Sequence, residues 1–332
     1  MTGRLENRIK TENRIKANLE DAPAFVRDFY YSLNDRTHKT KLVYINNVLR
    51  FLRYMYGEDI SDLEEDAVDE ISSSDIERFV EDIGIIDTGE KRREMSSDAK
   101  AQILSSLSMF FGFMAATRRI SENPFENKRI RRPRKKEKDV VFLTPEEVKS
   151  VEQSILARSN RDQWKWRDLL LFRIPVINGL RVTALSEINV DDIDFANGTI
   201  RVVEKGNVHK DVYVDQQTMK YIRYWLSERR EILLQNKTKS DALFISSAMQ
   251  RITIKSIERL IVKLTSETVP GKHITPHKLR STCGVNMYQA KKDIYLVASV
   301  LGHRSTEPTR RYTKVFDSDK QNAINELANI YN

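Results

Sequence analysis

One short segment, residues 193–214, carries the only clear strand pattern in a chain that otherwise follows helical spacing. Turn sequences at 197–198 (Asn-Gly) and 205–207 (Lys-Gly-Asn) divide this segment into three short runs with β-branched residues. Strands joined by turns this short pair antiparallel. The sequence therefore predicts a mostly α protein with one small antiparallel β meander.

Residues 21–122 predict a small helical domain. Apolar side chains between 42 and 55 recur at helical spacing, and a second set follows the same spacing from 103 to 114. The run Ser74-Asp75-Ile76-Glu77 predicts a capping box at the start of a shorter helix between them.

The remaining segments are predicted from charge and helix signals. Residues 1–20 repeat the sequence ENRIK and form a charged N-terminal segment, and residues 123–142 are a basic linker. Thr144-Pro145, with Glu147, predicts a capped helix at the start of a larger domain that spans 143–332 and ends in a helix.

The charge balance favours a polyanionic partner. Lys and Arg number 56 against 48 Asp and Glu, which gives a net charge of +8. Charge alone does not separate DNA from RNA or an anionic membrane, and a basic linker can simply be solvated. We nevertheless interpret the outer face of the helix near residue 50 and the linker as phosphate contacts. The candidate residues are Lys39, Arg50, Arg53, Arg131, Arg132, Arg134, Lys135 and Lys136.

Cysteine usage and hydropathy indicate where the protein works. The single cysteine, Cys283, excludes an intrachain disulfide and fits a reducing compartment, and its pattern is that of a small buried helix residue. No signal peptide or apolar run of membrane-spanning length occurs in the sequence. We therefore expect a cytoplasmic protein with no membrane partner.

Thr275-Pro276 predicts the start of a helix, so His277 and Arg280 share one face within its first turn. A helix N-terminus offers free N–H groups and a partial positive charge. Imidazole, guanidinium and dipole therefore converge on a place that suits a phosphate.

A second group follows on the same stretch of chain. Gly302 suits a helix C-cap, His303 comes directly after it, and Tyr312 follows nine residues later. A tyrosine can attack phosphorus covalently when cations hold the phosphate and another group protonates the leaving oxygen.

The motifs H-x-x-R, L-G-H and a tyrosine nine positions on resemble the tyrosine recombinase (phage integrase) family, in its simple two-domain Cre and Xer type. Upstream, Asn178-Gly179-Leu180-Arg181 resembles the family's G-L-R box, and Lys205 at a hairpin tip resembles its strand-turn lysine. The resemblance implies an N-terminal helical core-binding domain for DNA and a C-terminal catalytic domain.

Family chemistry assigns each of these residues a role in breaking DNA through a 3′-phosphotyrosine. Tyr312 would be the nucleophile, while Arg181 and Arg280 grip the two non-bridging oxygens. Lys205 would protonate the leaving oxygen, His277 would assist proton movement at the tyrosine, and His303 would donate a hydrogen bond to the phosphate. Taken singly, each is a common surface residue. Tyr288, Tyr295 and Tyr331 are alternative candidates for the nucleophile. The whole set of residues, in this order and spacing, is more specific than any one of them.

Two positions depart from the family pattern. The residue three after the first arginine is commonly acidic there, but here it is Ala184, with Glu187 three further on. The residue after the second arginine, often a histidine, is Ser281. These departures leave room for a weakened enzyme.

The same resemblance implies double-stranded DNA with paired inverted-repeat sites, a homotetramer, a Holliday junction intermediate and no cofactor. The C-terminal helix, 318–331, could fold onto its own domain or dock on the neighbouring protomer. A metal site is a poor alternative, because Pro276 separates His273 from His277. The rival functions are a non-cleaving DNA-binding regulator with the same fold and a relaxing topoisomerase that uses the same chemistry.

Overall fold

The computed structural model describes residues 3–87, 92–126, 130–131, 133, 139–204, 208–303, 305–313, 324 and 328. The chain divides into two compact units, Met1–Glu137 and Lys138–Asn332. Each unit has its own apolar core. None of the described helices is long and apolar enough to span a lipid bilayer.

The first unit is helical with one short hairpin. Its core is rich in aromatic rings, among them Phe29, Phe51 and Phe110, which are fully buried. The apolar face predicted near residue 50 is confirmed, because the side chains on that face are buried against this core. The elements are α1 (Gly3–Glu20), α2 (Ala24–Ser32), α3 (His38–Tyr56), α4 (Glu65–Asp69), α5 (Ser73–Asp82), β1 (Ile85–Asp87), β2 (Arg92–Glu94) and α6 (Ser97–Ala116).

The predicted capping box is displaced by two residues. Helix α5 is capped by Ser72, whose backbone N–H and hydroxyl both donate to Asp75, at 3.0 and 2.6 Å. Ile71 and Ile76 flank this cap and are both buried in the same core. Burying this pair across the cap fixes the earlier start of the helix.

The β1–β2 hairpin lies outside residues 193–214, the segment that carries the only clear strand pattern in the sequence. The two strands pair antiparallel, with Ile86 opposite Arg93. Each strand is only three residues long and β2 is charged throughout, so neither shows the alternation that predicts a strand.

The second unit contains the predicted meander, which is confirmed as a three-stranded antiparallel sheet in the order β3-β4-β5. Thr199 pairs with Tyr213 and Val203 with His209. A 3₁₀ turn, Val190–Asp192, precedes the sheet. The elements are α7 (Pro145–Leu156), α8 (Lys165–Asn178), α9 (Val182–Glu187), β3 (Ile193–Asp194), β4 (Thr199–Val203), β5 (His209–Tyr213), α10 (Gln216–Gln235), α11 (Ile254–Ser266), α12 (Pro276–Lys291), α13 (Ile294–Val300) and α14 (Glu307–Thr313).

Helix α8 is the buried centre of the second unit and packs against α7, α10 and α12. A proline inside a helix usually interrupts it, but this helix continues past Pro175 to Asn178. Packing on several sides offsets the one backbone hydrogen bond that proline cannot donate. Gly179 then ends the helix in the left-handed conformation, with φ of 63°, and directs the chain toward Arg181.

Helix α7 begins with the predicted capping box, which is confirmed. Glu147 accepts from the backbone N–H of Thr144 at 2.8 Å, and the Thr144 hydroxyl accepts from the N–H of Glu147 at 3.3 Å. The preceding residue, Leu143, donates its N–H to the Thr282 hydroxyl at 3.0 Å. This bond ties the start of the unit to α12, the helix that bears two of the candidate catalytic residues.

Candidate active site

One face of α12 organises the site. His277, Arg280 and Gly284 are spaced three and four residues apart, so they lie on one side of the helix. The ring of Tyr312, on α14, packs directly on Gly284: a Cβ there would lie 2.5 Å from Tyr312 Cε2. Only glycine leaves room for the ring. Tyr312 is 4% exposed, and Gly284, on which its ring packs, lies one helical turn from Arg280.

Arg280 joins the two turns that carry other candidate residues. Its Nη1 donates to the carbonyl oxygen of Gly179, and its Nη2 donates to that of Leu301. Burial lowers the pKa of Arg280 and the nearby charge of Arg181 lowers it further, whereas Glu204 and Tyr312 act in the opposite direction. Each Nη atom keeps a second N–H, so the guanidinium remains able to hold an anion.

Arg181 follows the Gly179 turn as the N-cap residue of α9. Its Nη1 forms an ion pair with Glu204 Oε2 at 3.0 Å, and about a third of its side chain is exposed. One nitrogen of the guanidinium is therefore engaged within the protein, while part of the side chain is open to solvent. This geometry allows it to take one phosphate oxygen while Arg280 takes another.

His303 is oriented by a residue that the sequence did not reveal. The backbone reverses at Gly302, with φ of 61°, and His303 Nδ1 then lies 2.8 Å from the hydroxyl of the fully buried Thr309. Burial, together with Arg280 and Arg181, lowers the pKa of His303 to about 4, so the ring is neutral at pH 7. When Nδ1 accepts from Thr309, the single proton is on Nε2 and is available to the phosphate.

For the phosphate-binding role that the family resemblance implies for His303, Thr309→Val is expected to slow DNA cleavage about fivefold, because the ring loses the hydroxyl that fixes its tautomer, a bond worth about 1 kcal/mol. Valine has nearly the same shape, so the buried site stays filled. Nitrogen-15 NMR of His303 should show the proton on Nε2 in the wild type and in Thr309→Ser. A wild-type ring protonated on Nδ1 would contradict this role for Thr309.

The two site histidines make the fold sensitive to acid. Desolvation lowers the pKa of His277, and Arg311, Arg280 and Arg181 lower it further. The pKa of His303 lies near 4 in the folded protein against an ordinary value of 6.5. The unfolded chain therefore binds more protons below pH 6.5, and the stability that His303 contributes is complete above that pH and lost as the pH falls toward 4.

We accordingly expect the melting temperature of the wild type to fall more steeply between pH 6.5 and pH 4 than that of His303→Gln. Calorimetry of both proteins across this range measures the difference, with titrating carboxylates common to both. Equal slopes would show that His303 keeps its ordinary pKa in the folded state.

The predicted lysine of the site, Lys205, lies outside the described residues. The strands on either side of it are as expected, and the backbone N–H of Glu204 donates to Val208 O at 2.8 Å across the hairpin. Glu204 itself was not anticipated as a site residue. Its position is apparent only when the end of β4 is brought beside Arg181.

The other tyrosines that the sequence offered, and two further residues of α12, have the following surroundings. Tyr295 is 76% exposed, and Tyr331 lies outside the described residues. Tyr288 packs beside the small apolar cluster that contains Tyr312. Cys283 is buried as expected, and burial raises the pKa of its thiol to about 12. Ser281 donates to the carbonyl oxygen of His277 within its own helix.

The candidate DNA contacts of the first unit lie partly along one cleft. Lys39 and Arg50 are exposed on α3. Arg50 and Arg53 line a cleft of about 450 Å³ with Asn18 and Asn46, and Arg53 pairs weakly with Glu58 at 3.9 Å. Among the linker candidates, Arg131 is exposed, and Arg132, Arg134, Lys135 and Lys136 lie outside the described residues.

Across the described ranges, no group of three or more His, Cys, Asp or Glu side chains is placed to hold a metal ion. What the second unit brings together is a tyrosine beside two arginines and two histidines, on a helical scaffold with a three-stranded meander. This arrangement defines the class of proteins that transfer DNA strands through a tyrosine.

Residues 142–319 match the model of the phage integrase family. This match covers more than half of the chain, and the chain belongs to that family.

Relatives with known names agree with this membership. A tyrosine recombinase XerC of Caldanaerobacter subterraneus subsp. tengcongensis is 28% identical over 315 residues, which cover 90% of this chain and 84% of the relative. A tyrosine recombinase of Pseudothermotoga lettingae is 27% identical over 300 residues, covering 90% of this chain and 96% of the relative.

Solved structures share the fold. The XerH site-specific recombinase bound to difH substrate in a pre-cleavage complex superposes with a TM-score of 0.66 at 20% identity, over 96% of this chain and 88% of that chain. A lambda integrase tetramer bound to a Holliday junction gives a TM-score of 0.61 at 18% identity, over 87% of this chain and 76% of that chain.

Proposed function

We propose that this protein is a site-specific DNA recombinase that cuts and rejoins DNA through a 3′-phosphotyrosine on Tyr312. The observation that carries the proposal is the packing of the Tyr312 ring on Gly284, on the same face of α12 as His277 and Arg280. A nucleophile and its anion-binding groups are thereby held on one rigid helix face.

In the first step, the phenol oxygen of Tyr312 attacks the scissile phosphorus as the bond to the 5′-oxygen breaks. Arg181 and Arg280 hold the non-bridging oxygens, and a neutral His303 donates a hydrogen bond from Nε2. Its lowered pKa keeps His277 neutral, so it can accept the phenol proton. We assign protonation of the leaving 5′-oxygen to Lys205 from the family pattern.

In the second step, the 5′-hydroxyl of another strand attacks the phosphotyrosine and releases Tyr312. The energy of the broken phosphodiester is kept in the protein–DNA bond, so the exchange consumes no cofactor. Each proton transfer runs in reverse, with the same residues.

The partner we propose is double-stranded DNA with paired inverted-repeat sites, bound by four protomers. The lambda integrase tetramer on a Holliday junction supports this assembly. The proposed contact between neighbours is the segment 318–331, which the sequence predicts to be a helix and of which the structure describes only residues 324 and 328. Within that segment, Ile324 is helical and 61% exposed. A cytoplasmic, DNA-associated location belongs to the same proposal.

The test begins with the DNA that flanks the gene, searched for inverted repeats around a short spacer. A nicked suicide duplex with that site should trap a covalent adduct that survives denaturation. Tight binding without an adduct would support the regulator instead. Relaxation of supercoiled plasmid without recombinant products would support the topoisomerase.

A further inference from the structure

We propose that Glu204 is a positioning residue of the active site, which holds Arg181 and the turn before His303 in the geometry that receives the scissile phosphate. This inference rests on the proposed roles of Arg181 and Tyr312. No acid follows the first arginine at the spacing common in the family, and Glu204 supplies one from another part of the fold.

The backbone of Glu204 is fixed by the pairing of the two chain segments that form the β4–β5 hairpin. Its N–H donates to Val208 O at 2.8 Å, just beyond the last residue of β4. Its side chain is 14% exposed, and Oε2 lies 3.0 Å from Arg181 Nη1. A charged hydrogen bond at this depth is screened less than one on the open surface, so it constrains the guanidinium.

The same carboxylate packs against a second element. A Cβ at Gly302 would lie 2.7 Å from Oε2 and 3.1 Å from Oε1 of Glu204, so the carboxylate lies directly against the backbone that precedes His303. Gly302 therefore leaves room for the acid as well as adopting the left-handed turn. Replacing this glycine would displace either the carboxylate of Glu204 or the backbone turn.

These contacts link parts that the sequence holds far apart. Arg280 donates to the carbonyl oxygens of Gly179 and Leu301. Glu204 contacts Arg181 and Gly302, which lie two residues and one residue further along the chain. A cation, Arg280, and an anion, Glu204, therefore both contact the same two turns. The carboxylate also acts electrostatically on both His303 and Arg280.

The acid expected three residues after Arg181 has no counterpart at that place. Ala184 is 2% exposed and belongs to the apolar core of the unit. Glu204 reaches Arg181 from the end of a strand instead. The departure at Ala184 is thus compensated by charge from elsewhere, rather than leaving Arg181 without an acidic neighbour.

A carboxylate beside a phosphate site could act in either of two ways, and the two have opposite consequences. As a stand-in for the phosphate, it would compete with DNA, and its removal would speed cleavage. As a positioning group, it would orient Arg181 even though its negative charge repels the phosphate, and its removal would slow cleavage. Oε2 accepts a hydrogen bond from Nη1 of Arg181 and the acid is packed against Gly302, which favours the second role.

Glu204→Gln keeps the shape of the side chain and removes its charge. At saturating duplex, we expect the single-turnover cleavage rate to fall about tenfold to hundredfold, since a loosened guanidinium is misplaced relative to the transition state. The dissociation constant for uncleaved DNA should stay equal or become lower, because a negative charge has left the site. Glu204→Asp, which keeps the charge on a shorter arm, should recover part of the rate.

Asp211→Asn is the matched control. It removes one carboxylate from β5, the strand that pairs with β4, where Asp211 forms an ion pair with Arg201 at 3.5 Å on the exposed surface, and it should leave cleavage unchanged. A Glu204→Gln rate equal to or above wild type would overturn the inference, as would a parallel loss of DNA affinity and melting temperature. If the wild type itself forms no adduct, it is the proposed function that fails.

Discussion

Tyr312→Phe is expected to abolish the covalent protein–DNA adduct and leave DNA binding intact. The variant removes only the phenol oxygen, the one atom that can form the phosphotyrosine bond. The ring itself is 4% exposed and packs on Gly284, so phenylalanine fills the same space and the fold should persist. Denaturing gels of the suicide duplex measure the adduct, and native gels measure binding.

Tyr288→Phe is the matched control for this experiment. Tyr288 is on α12, packs beside the same apolar cluster and is partly buried, so its change tests whether any neighbouring phenol can substitute. Adduct formation should match the wild type. An adduct that persists in Tyr312→Phe and disappears in Tyr288→Phe would show that Tyr288, and not Tyr312, is the nucleophile.

Arg280→Lys is expected to reduce the cleavage rate by about a hundredfold to a thousandfold, because one preorganised donor to the phosphate contributes about 3 to 4 kcal/mol. Lysine keeps the charge but cannot donate to Gly179 O, Leu301 O and a phosphate oxygen together. We also expect a loss of about 1 to 3 kcal/mol in unfolding free energy, since a buried carbonyl is left without a donor.

Arg229→Lys separates the two effects of that change. Arg229 is another buried arginine of the same unit, and its guanidinium donates to Ala242 O at 2.9 Å and to Ser240 O. Its replacement should lower stability comparably while the folded protein cleaves DNA at the wild-type rate. Equal losses of cleavage in the two variants would show that Arg280 acts only through the fold.

Local features of this site could be predicted from the sequence because they depend on spacing along one element. His277 and Arg280 share a face once Pro276 sets the start of α12, and Gly302 ends α13 as its conformational freedom allows. The three-stranded meander follows from two short turns. Each of these inferences needs only a few neighbouring residues.

Features that depend on contacts between distant parts of the chain could not be predicted in this way. Thr309 resembles any helical threonine until it lies 2.8 Å from His303, and Glu204 resembles any polar residue at a strand end until it lies beside Arg181. Pro175 resembles a residue that ends a helix, because the neighbouring sequence does not show which elements pack around α8. Tertiary contacts decided all three.

Peptide mapping by mass spectrometry of the trapped adduct, after protease and nuclease digestion, identifies the nucleophile directly. We predict that a nucleotide is attached through its 3′-phosphate to the peptide that contains Tyr312, with a free 5′-hydroxyl on the released strand. A nucleotide on any other residue, or a 5′-phosphate attached to the protein, would contradict it.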